Sequence, residues 1–147
     1  MKGIDFSMSE IEYGIAWSDS YRLGNAQVDS QHRTLFELLS KLVSACQDGT
    51  DTVTLQETLE FLANYTVLHF NDEESLQIQY NYPDFPRHKQ LHEDFKDTVG
   101  IFVQDFRKNG SSEELSKIVN KIVVRWLINH IQQEDKKIGR HIDSILK

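Results

Sequence analysis

The chain has one cysteine and two prolines in 147 residues, and each scarcity excludes something. Cys46 has no partner within the chain, so no intramolecular disulfide can form, and a reducing compartment is the simpler expectation. It falls among apolar helical positions and reads as inert packing. Pro83 and Pro86 sit together in Asn-Tyr-Pro-Asp-Phe-Pro, so proline makes a single break. Basic residues are also short: 16 Lys and Arg against 23 Asp and Glu give a formal charge of −7. No positive stripe exists to neutralise phosphates, which argues against a nucleic-acid partner. No run approaches the ~20 apolar residues of a membrane span. The opening Met-Lys-Gly-Ile-Asp-Phe-Ser lacks the apolar core that export needs. The expectation is a cytoplasmic protein without membrane insertion, although a sensory module cut from a larger membrane protein would look the same. Internal repeats and low-complexity tracts are missing as well.

What is present is an ordinary globular composition, 39% apolar and 27% charged, in a chain of one domain's length spanning residues 1–147. The turn-like clusters Asp48-Gly49-Thr50-Asp51 and Lys108-Asn109-Gly110-Ser111 join the proline pair as breaks. Between them the spacing predicts four helices, at 26–47, 54–80, 86–108 and 112–138. Val28, His32, Leu35, Phe36, Leu39, Leu42 and Val43 share a face of the first. His88, His92, Phe95, Val99, Phe102 and Phe106 do so in the third, and Ile118, Ile122, Val123, Trp126, Leu127 and His130 in the fourth. Ser111-Ser112-Glu113-Glu114 fits a capping box opening the last helix. Short connections predict an all-α, up-down-up-down antiparallel four-helix bundle. Residues 1–25, with Tyr13, Trp17 and Tyr21, read as an N-terminal arm packed on the bundle by its aromatics, and residues after 138 as a short tail.

Five of the six histidines stand at ligand-like spacings. His88 and His92 are four residues apart, so both rings leave one helix face and can grip one ion. His69 and Glu73 repeat that spacing, while His32 and His130 are each centred on the apolar stripe of their own helix. A single such histidine is usually a satisfied core residue. Five unpartnered imidazoles would be costly to bury, and a metal removes the difficulty. Imidazole and carboxylate suit iron or zinc, and the ligand types alone do not choose between them. His141 lies outside the pattern. For the carboxylate beyond His130, regular helix geometry favours Glu134 at i+4, because Asp135 at i+5 sits roughly 140° around the axis. Only a loosened turn such as a π-bulge would bring Asp135 in.

These residues resemble the hemerythrin family, its bacterial form especially. The motif runs Asp29-Ser30-Gln31-His32, then His69-Phe70 to Glu73-Glu74, then His88 and His92, then Trp126-Leu127 to His130-Ile131 and Asp135. All four elements occur in order, and Trp17 with Leu23-Gly24 also fits. The resemblance implies a non-haem diiron site in a four-helix bundle that binds dioxygen reversibly. By the motif, His88, His92 and His130 would hold one iron and His32 and His69 the other, with Glu73 and Asp135 bridging. Asp135 thus displaces the geometric choice, which implies an irregular helix around 131–135. The implied cofactor is two iron ions cycling between Fe2+ and Fe3+ with a bridging oxo or hydroxo group.

On two six-coordinate ions such a set leaves a single open position, on the iron with only two histidines, where a diatomic gas can enter. Ferritin-like diiron oxygenases rely instead on about four carboxylates and two Glu-x-x-His motifs, and no such motif stands at a plausible position here. A neutral imidazole set should hold Fe2+ and reach Fe3+ without going further. The position must be dry, and Leu35, Phe70, Trp126 and Leu127 are the lining candidates, equally compatible with plain core packing. The leading expectation is an oxygen-binding protein for storage, transport or delivery, and not an enzyme. The alternatives are an oxygen or redox sensor read by a protein partner, and a diiron enzyme acting on peroxide or nitrogen oxides.

Overall fold

The computed structural model describes residues 17–47, 52–110 and 112–146. Tyr13, the 48–51 turn, Ser111 and the side chain of Cys46 lie outside the described residues. Four helices follow one another: α1 (Ala26–Gln47), α2 (Thr52–Gln79), α3 (Phe85–Asn109) and α4, an unbroken run of helical turns from Glu113 to Leu146. Helix α1 packs on α2, α2 on α3, and α4 returns against α1. This is the up-down-up-down antiparallel four-helix bundle that the short connections call for. No strand occurs among the described residues, and no helix there is long and apolar enough to cross a membrane.

Local chemistry sets the helix ends. The Asn25 side-chain oxygen accepts the Val28 N–H at 3.0 Å and starts α1. Asn81, in the left-handed region at φ 53°, stops α2, and the Tyr82 N–H turns back to the Gln77 carbonyl at 2.9 Å. Pro86 occupies the first turn of α3, where no N–H is needed, and Gly110 at φ 75° closes it with a bond to the Phe106 carbonyl. At the start of α4 the hydroxyl that accepts a backbone N–H is that of Ser112, from Leu115 at 3.0 Å, so the cap sits one residue later than the capping-box pattern suggested.

The expected buried faces of α1 and α3 are observed, with Phe102 only partly covered. The face expected for α4 needs correction. Val123, Leu127 and His130 are buried as expected and Trp126 partly so, but Ile118 and Ile122 are exposed, and Val119, Asn120, Val124 and Ile128 join the buried face in their place. Buried positions here recur every four residues, a step that drifts about 40° per turn on a regular α-helix. A π-helical turn over Asn120–Val124 absorbs that drift and keeps the stripe on the core. The expected tail is corrected too. Residues Lys136–Leu146 continue the helix, with Ile138 buried and His141 Nε2 donating to the Tyr80 carbonyl at 2.9 Å.

That extension receives the arm. Trp17 and Tyr21 pack edge-on and stacked against Phe36 of α1, with centroids 5.9 and 5.4 Å away. The Asp29 carboxylate accepts the Leu23 N–H at 2.7 Å and the Gly24 N–H at 3.2 Å. Lys136 Nζ donates to the Ser20 carbonyl at 2.6 Å. At Gly139 a Cβ would stand 2.4 Å from the Leu23 carbonyl oxygen, so only glycine lets arm and helix touch. Gly100, on the exposed side of α3, has nothing within 4 Å of the same position. Two glycine-to-alanine changes should therefore act with opposite signs in chemical denaturation. Gly139→Ala is expected to destabilise by about 1–3 kcal/mol through overpacking. Gly100→Ala should stabilise by about 0.5–1 kcal/mol through helix propensity. Equal effects would refute the close approach.

Candidate metal centre

Each helix delivers its share of the site from a buried face. Helix α1 brings His32; α2 brings His69 and Glu73, one turn apart; α3 brings His88 and His92, likewise one turn apart; α4 brings His130 and Asp135. All seven side chains are buried and converge into two groups of potential ligand atoms. One group is His88, His92, His130, Glu73 and Asp135; the other is His32, His69, Glu73 and Asp135. The two carboxylates belong to both.

Their oxygens divide accordingly. Glu73 Oε1 lies 3.0 Å from His88 Nε2 and 3.2 Å from His92 Nε2, while Oε2 lies 3.4 Å from His32 Nε2 and 3.3 Å from His69 Nε2. Asp135 Oδ1 lies 3.1 Å from both His88 Nε2 and His130 Nε2, and Oδ2 lies 3.0 Å from His32 Nε2. Each carboxylate thus turns one oxygen to each histidine group, the arrangement of a bridging ligand.

Hydrogen bonding alone does not account for these contacts. The His92 and His130 Nε2 atoms are 3.1 Å apart, and those of His130 and His88 3.2 Å apart, so three ring nitrogens aim at one another. His32 Nε2, His69 Nε2, Glu73 Oε2 and both Asp135 oxygens are buried with no hydrogen-bond partner of acceptable direction. A cation at each focus satisfies them. With metal–nitrogen bonds of ~2.1 Å, neighbouring ligands of an octahedral ion stand ~3.0 Å apart and those of a tetrahedral ion ~3.4 Å. The three-histidine group matches the octahedral spacing.

The electrostatics agree. Burial alone would lower the His32 pKa, but the Asp135 and Glu73 carboxylates beside its Nε2 outweigh it and lift the value to about 9. His88, against the same opposition from burial and with the same two partners, rises to about 10. His92 is raised by Glu73 and Glu74, while burial dominates at His69 and lowers it. Glu73 is held well below the carboxylate range although burial pushes it up, because His32, His69, His88 and His92 surround it. Burial and Glu73 push Asp135 up, but His130 and His32 hold it low. Without an ion, protons on the imidazoles balance the carboxylates.

Asp135 reaches the cluster because His130–Asp135 is a π-helical turn, which brings i and i+5 onto one face. Glu134, the residue regular geometry favours, points outward to Arg87 and lies 3.7 Å from Lys137. Of the lining candidates, Leu35, Phe70 and Leu127 are fully buried in the core and Trp126 partly so. Phe70 stacks on His92 at 3.7 Å and Trp126 on His130 at 4.5 Å, so both rings brace the three-histidine side.

Two outer residues escaped the sequence reading. Gln31 Oε1 accepts the His69 Nδ1–H at 2.8 Å, its amide oriented by the Nε2 donation to Asp72 at 2.7 Å. Glu74 Oε2 accepts the His92 Nδ1–H at 2.8 Å. With Nδ1 protonated, each Nε2 presents its lone pair to the centre. The available signal was adjacency, since Gln31 precedes His32 and Glu74 follows Glu73.

Residues 23–142 match the family model described as Hemerythrin HHE cation binding domain. A bacteriohemerythrin of Stenotrophomonas maltophilia is 31% identical over 132 residues, 90% of this chain and 84% of the relative. A myohemerythrin of Theromyzon tessulatum is 29% identical over 128 residues, 87% of this chain and 93% of the relative. A crystal structure of wild-type hemerythrin superposes with a TM-score of 0.72 at 26% identity, covering 86% of this chain and 95% of that one. With a four-helix scaffold, paired histidine groups and shared carboxylates all in the motif's order, the chain belongs to the hemerythrin family.

Proposed function

We propose that this chain binds dioxygen reversibly at a diiron site, for storage, transport or delivery of the gas and not for turnover. In this reading His88, His92 and His130 ligate one ion, His32 and His69 the other, and Glu73 and Asp135 bridge them. One observation carries it: the donor set is lopsided, with three imidazoles on one side of the shared carboxylates and two on the other. Ions held by these residues would share both carboxylates, and the two-histidine side, with fewer protein donors, would be the side that admits a small gas. Iron bound there supplies the electrons that dioxygen takes on binding and gives back on release. The residues do the rest. Five neutral imidazoles favour the lower oxidation states, and the buried surroundings keep out the water that would displace the gas. Leu35, Phe70, Trp126 and Leu127 are proposed as the dry wall of the centre as a whole, with Phe70 and Trp126 against its three-histidine side.

Reduced, iron-loaded protein mixed with oxygen should develop a visible absorption that vacuum removes and fresh oxygen restores. A change that vacuum cannot reverse would overturn the proposal. Loading should reach two irons per chain, one for each group. Asp135→Asn is expected to lower that count and Glu134→Gln to leave it unchanged, measured by elemental analysis; equal counts in the two variants would contradict the bridging role.

Metal uptake should also depend on pH in a defined direction. At neutral pH the metal-free protein holds protons on His32 and His88, whose pKa values stand at about 9 and 10. Each must leave before its nitrogen can ligate. Apparent ferrous affinity should therefore rise steeply between about pH 6 and 8, by about tenfold per pH unit for each proton released. Calorimetry in buffers of differing ionisation enthalpy reads the proton count, and a pH-independent affinity would refute the assignment. In the metal-free protein the His32 contribution to stability has the opposite course: full below the unfolded value near 6.5 and lost as pH climbs through about 9.

One observation favours a second reading, a sensor. The arm is tied to Lys136 and Gly139, directly after the π turn that carries Asp135. If the arm reports the state of the centre, oxygenation should change protease cleavage at exposed Arg22. Identical cleavage rates in the reduced and oxygenated protein would rule the sensor out.

A further inference from the structure

Gln77 follows His69 and Glu73 at four-residue steps on α2, so it continues the same buried face one turn beyond the candidate ligands. It has no solvent exposure, and neither its amide nitrogen nor its amide oxygen has a hydrogen-bond partner. A buried carboxamide left in that state is costly. One helix away, His88 Nδ1 is also buried and unpartnered. The turn between α2 and α3 joins the two residues: the Tyr82 N–H bonds to the Gln77 carbonyl at 2.9 Å, and the Tyr82 ring meets the His88 ring edge-on at 6.2 Å. His69 and His92 each give Nδ1–H to an outer oxygen, and for His69 that oxygen is also a glutamine's.

We propose that Gln77 is the outer partner of His88, its carboxamide oxygen accepting the Nδ1–H directly or across one buried water, which leaves His88 Nε2 free for a metal ion. Gln77 is then a positioning residue for the three-histidine ion, an inference that rests on the diiron reading above. His32 Nδ1, on α1, is buried and unpartnered as well; the turn that links Gln77 to His88 through Tyr82 is what assigns Gln77 to His88.

The test compares wild type with Gln77→Met, which keeps the side chain's length and flexibility but removes its polar atoms. Three quantities are measured: ferrous iron loss to a chelator, solvent exchange of the paramagnetically shifted His88 Nδ1–H in the reduced protein, and the melting temperature without metal. Iron loss should quicken by about tenfold to a hundredfold, and the His88 proton should exchange faster. The metal-free variant should melt no lower than wild type, since an unpartnered buried amide has been removed. Gln77→Glu, which restores an acceptor, should recover slow iron loss. Unchanged iron loss and exchange in Gln77→Met would overturn the proposal, and so would a lowered melting temperature with unchanged exchange, the mark of a structural role alone. A wild-type chain that takes up fewer than two irons would fail the diiron reading and this inference with it, before any variant is compared.

Discussion

Seven ionisable or metal-binding side chains pointed at one another inside an apolar bundle form an arrangement that the polypeptide cannot satisfy by itself. Glu73 and Asp135 are each buried to within 1% of completely and ringed by five imidazoles, which hold both carboxyls low although burial pushes each up and Glu73 pushes up Asp135. In a medium of low dielectric, two such carboxylates persist as anions only when cations face them. Protonated imidazoles serve in the metal-free chain, and metal ions serve better because they take both the carboxylate oxygens and the ring lone pairs. The constraint reaches outward from there. Each of the four helices must present its donor at the same depth, so the packing around them is stacked aromatic surface: Phe70 on His92, Trp126 on His130, and Phe95 on Trp126.

The same demand explains the winding of α4. A regular helix carrying His130 would aim Glu134 inward and send Asp135 to the side. The π turn over His130–Asp135 reverses the two, leaving Glu134 to pair with Arg87 at the surface. The second π turn, over Asn120–Val124, carries none of the seven candidate ligands and keeps Val119, Val123 and Leu127 on the core.

Periodicity read the bundle well where the helices are regular. The faces of α1 and α3 follow directly from apolar residues at three- and four-residue spacing, and the breaks follow from Pro83, Pro86 and Gly110. In α4 it held from Val123 through Leu127 to His130 but missed at Ile118 and Ile122, which turn outward, because a pattern assuming 3.6 residues per turn cannot register an inserted residue. Asp135 was legible only through family resemblance for the same reason. Gly139, the contact point for Leu23, carried no signal of its own, because a close approach between arm and helix leaves no mark on periodicity. The outer acceptors Gln31 and Glu74 were hidden for another reason. Which polar neighbour of a histidine meets its far nitrogen depends on how two helices are rotated, and that is tertiary information.

The uneven split of the candidate donors has its own structural cause. Helix α3 offers two imidazoles from consecutive turns, His88 and His92, whereas α1 offers His32 alone. One turn beyond His32, where a second donor from α1 would stand, are Leu35 and Phe36, both buried in the core. On α2 the turn before His69 carries Tyr65 and Thr66, and the Thr66 hydroxyl is occupied by the Leu62 carbonyl at 2.7 Å. Neither helix therefore has a spare donor to close the two-histidine side. The uneven count follows from apolar and self-satisfied residues at the places where further donors would have to be. Under the proposed function, the open position and its exclusion of water would both come from that one choice of side chains.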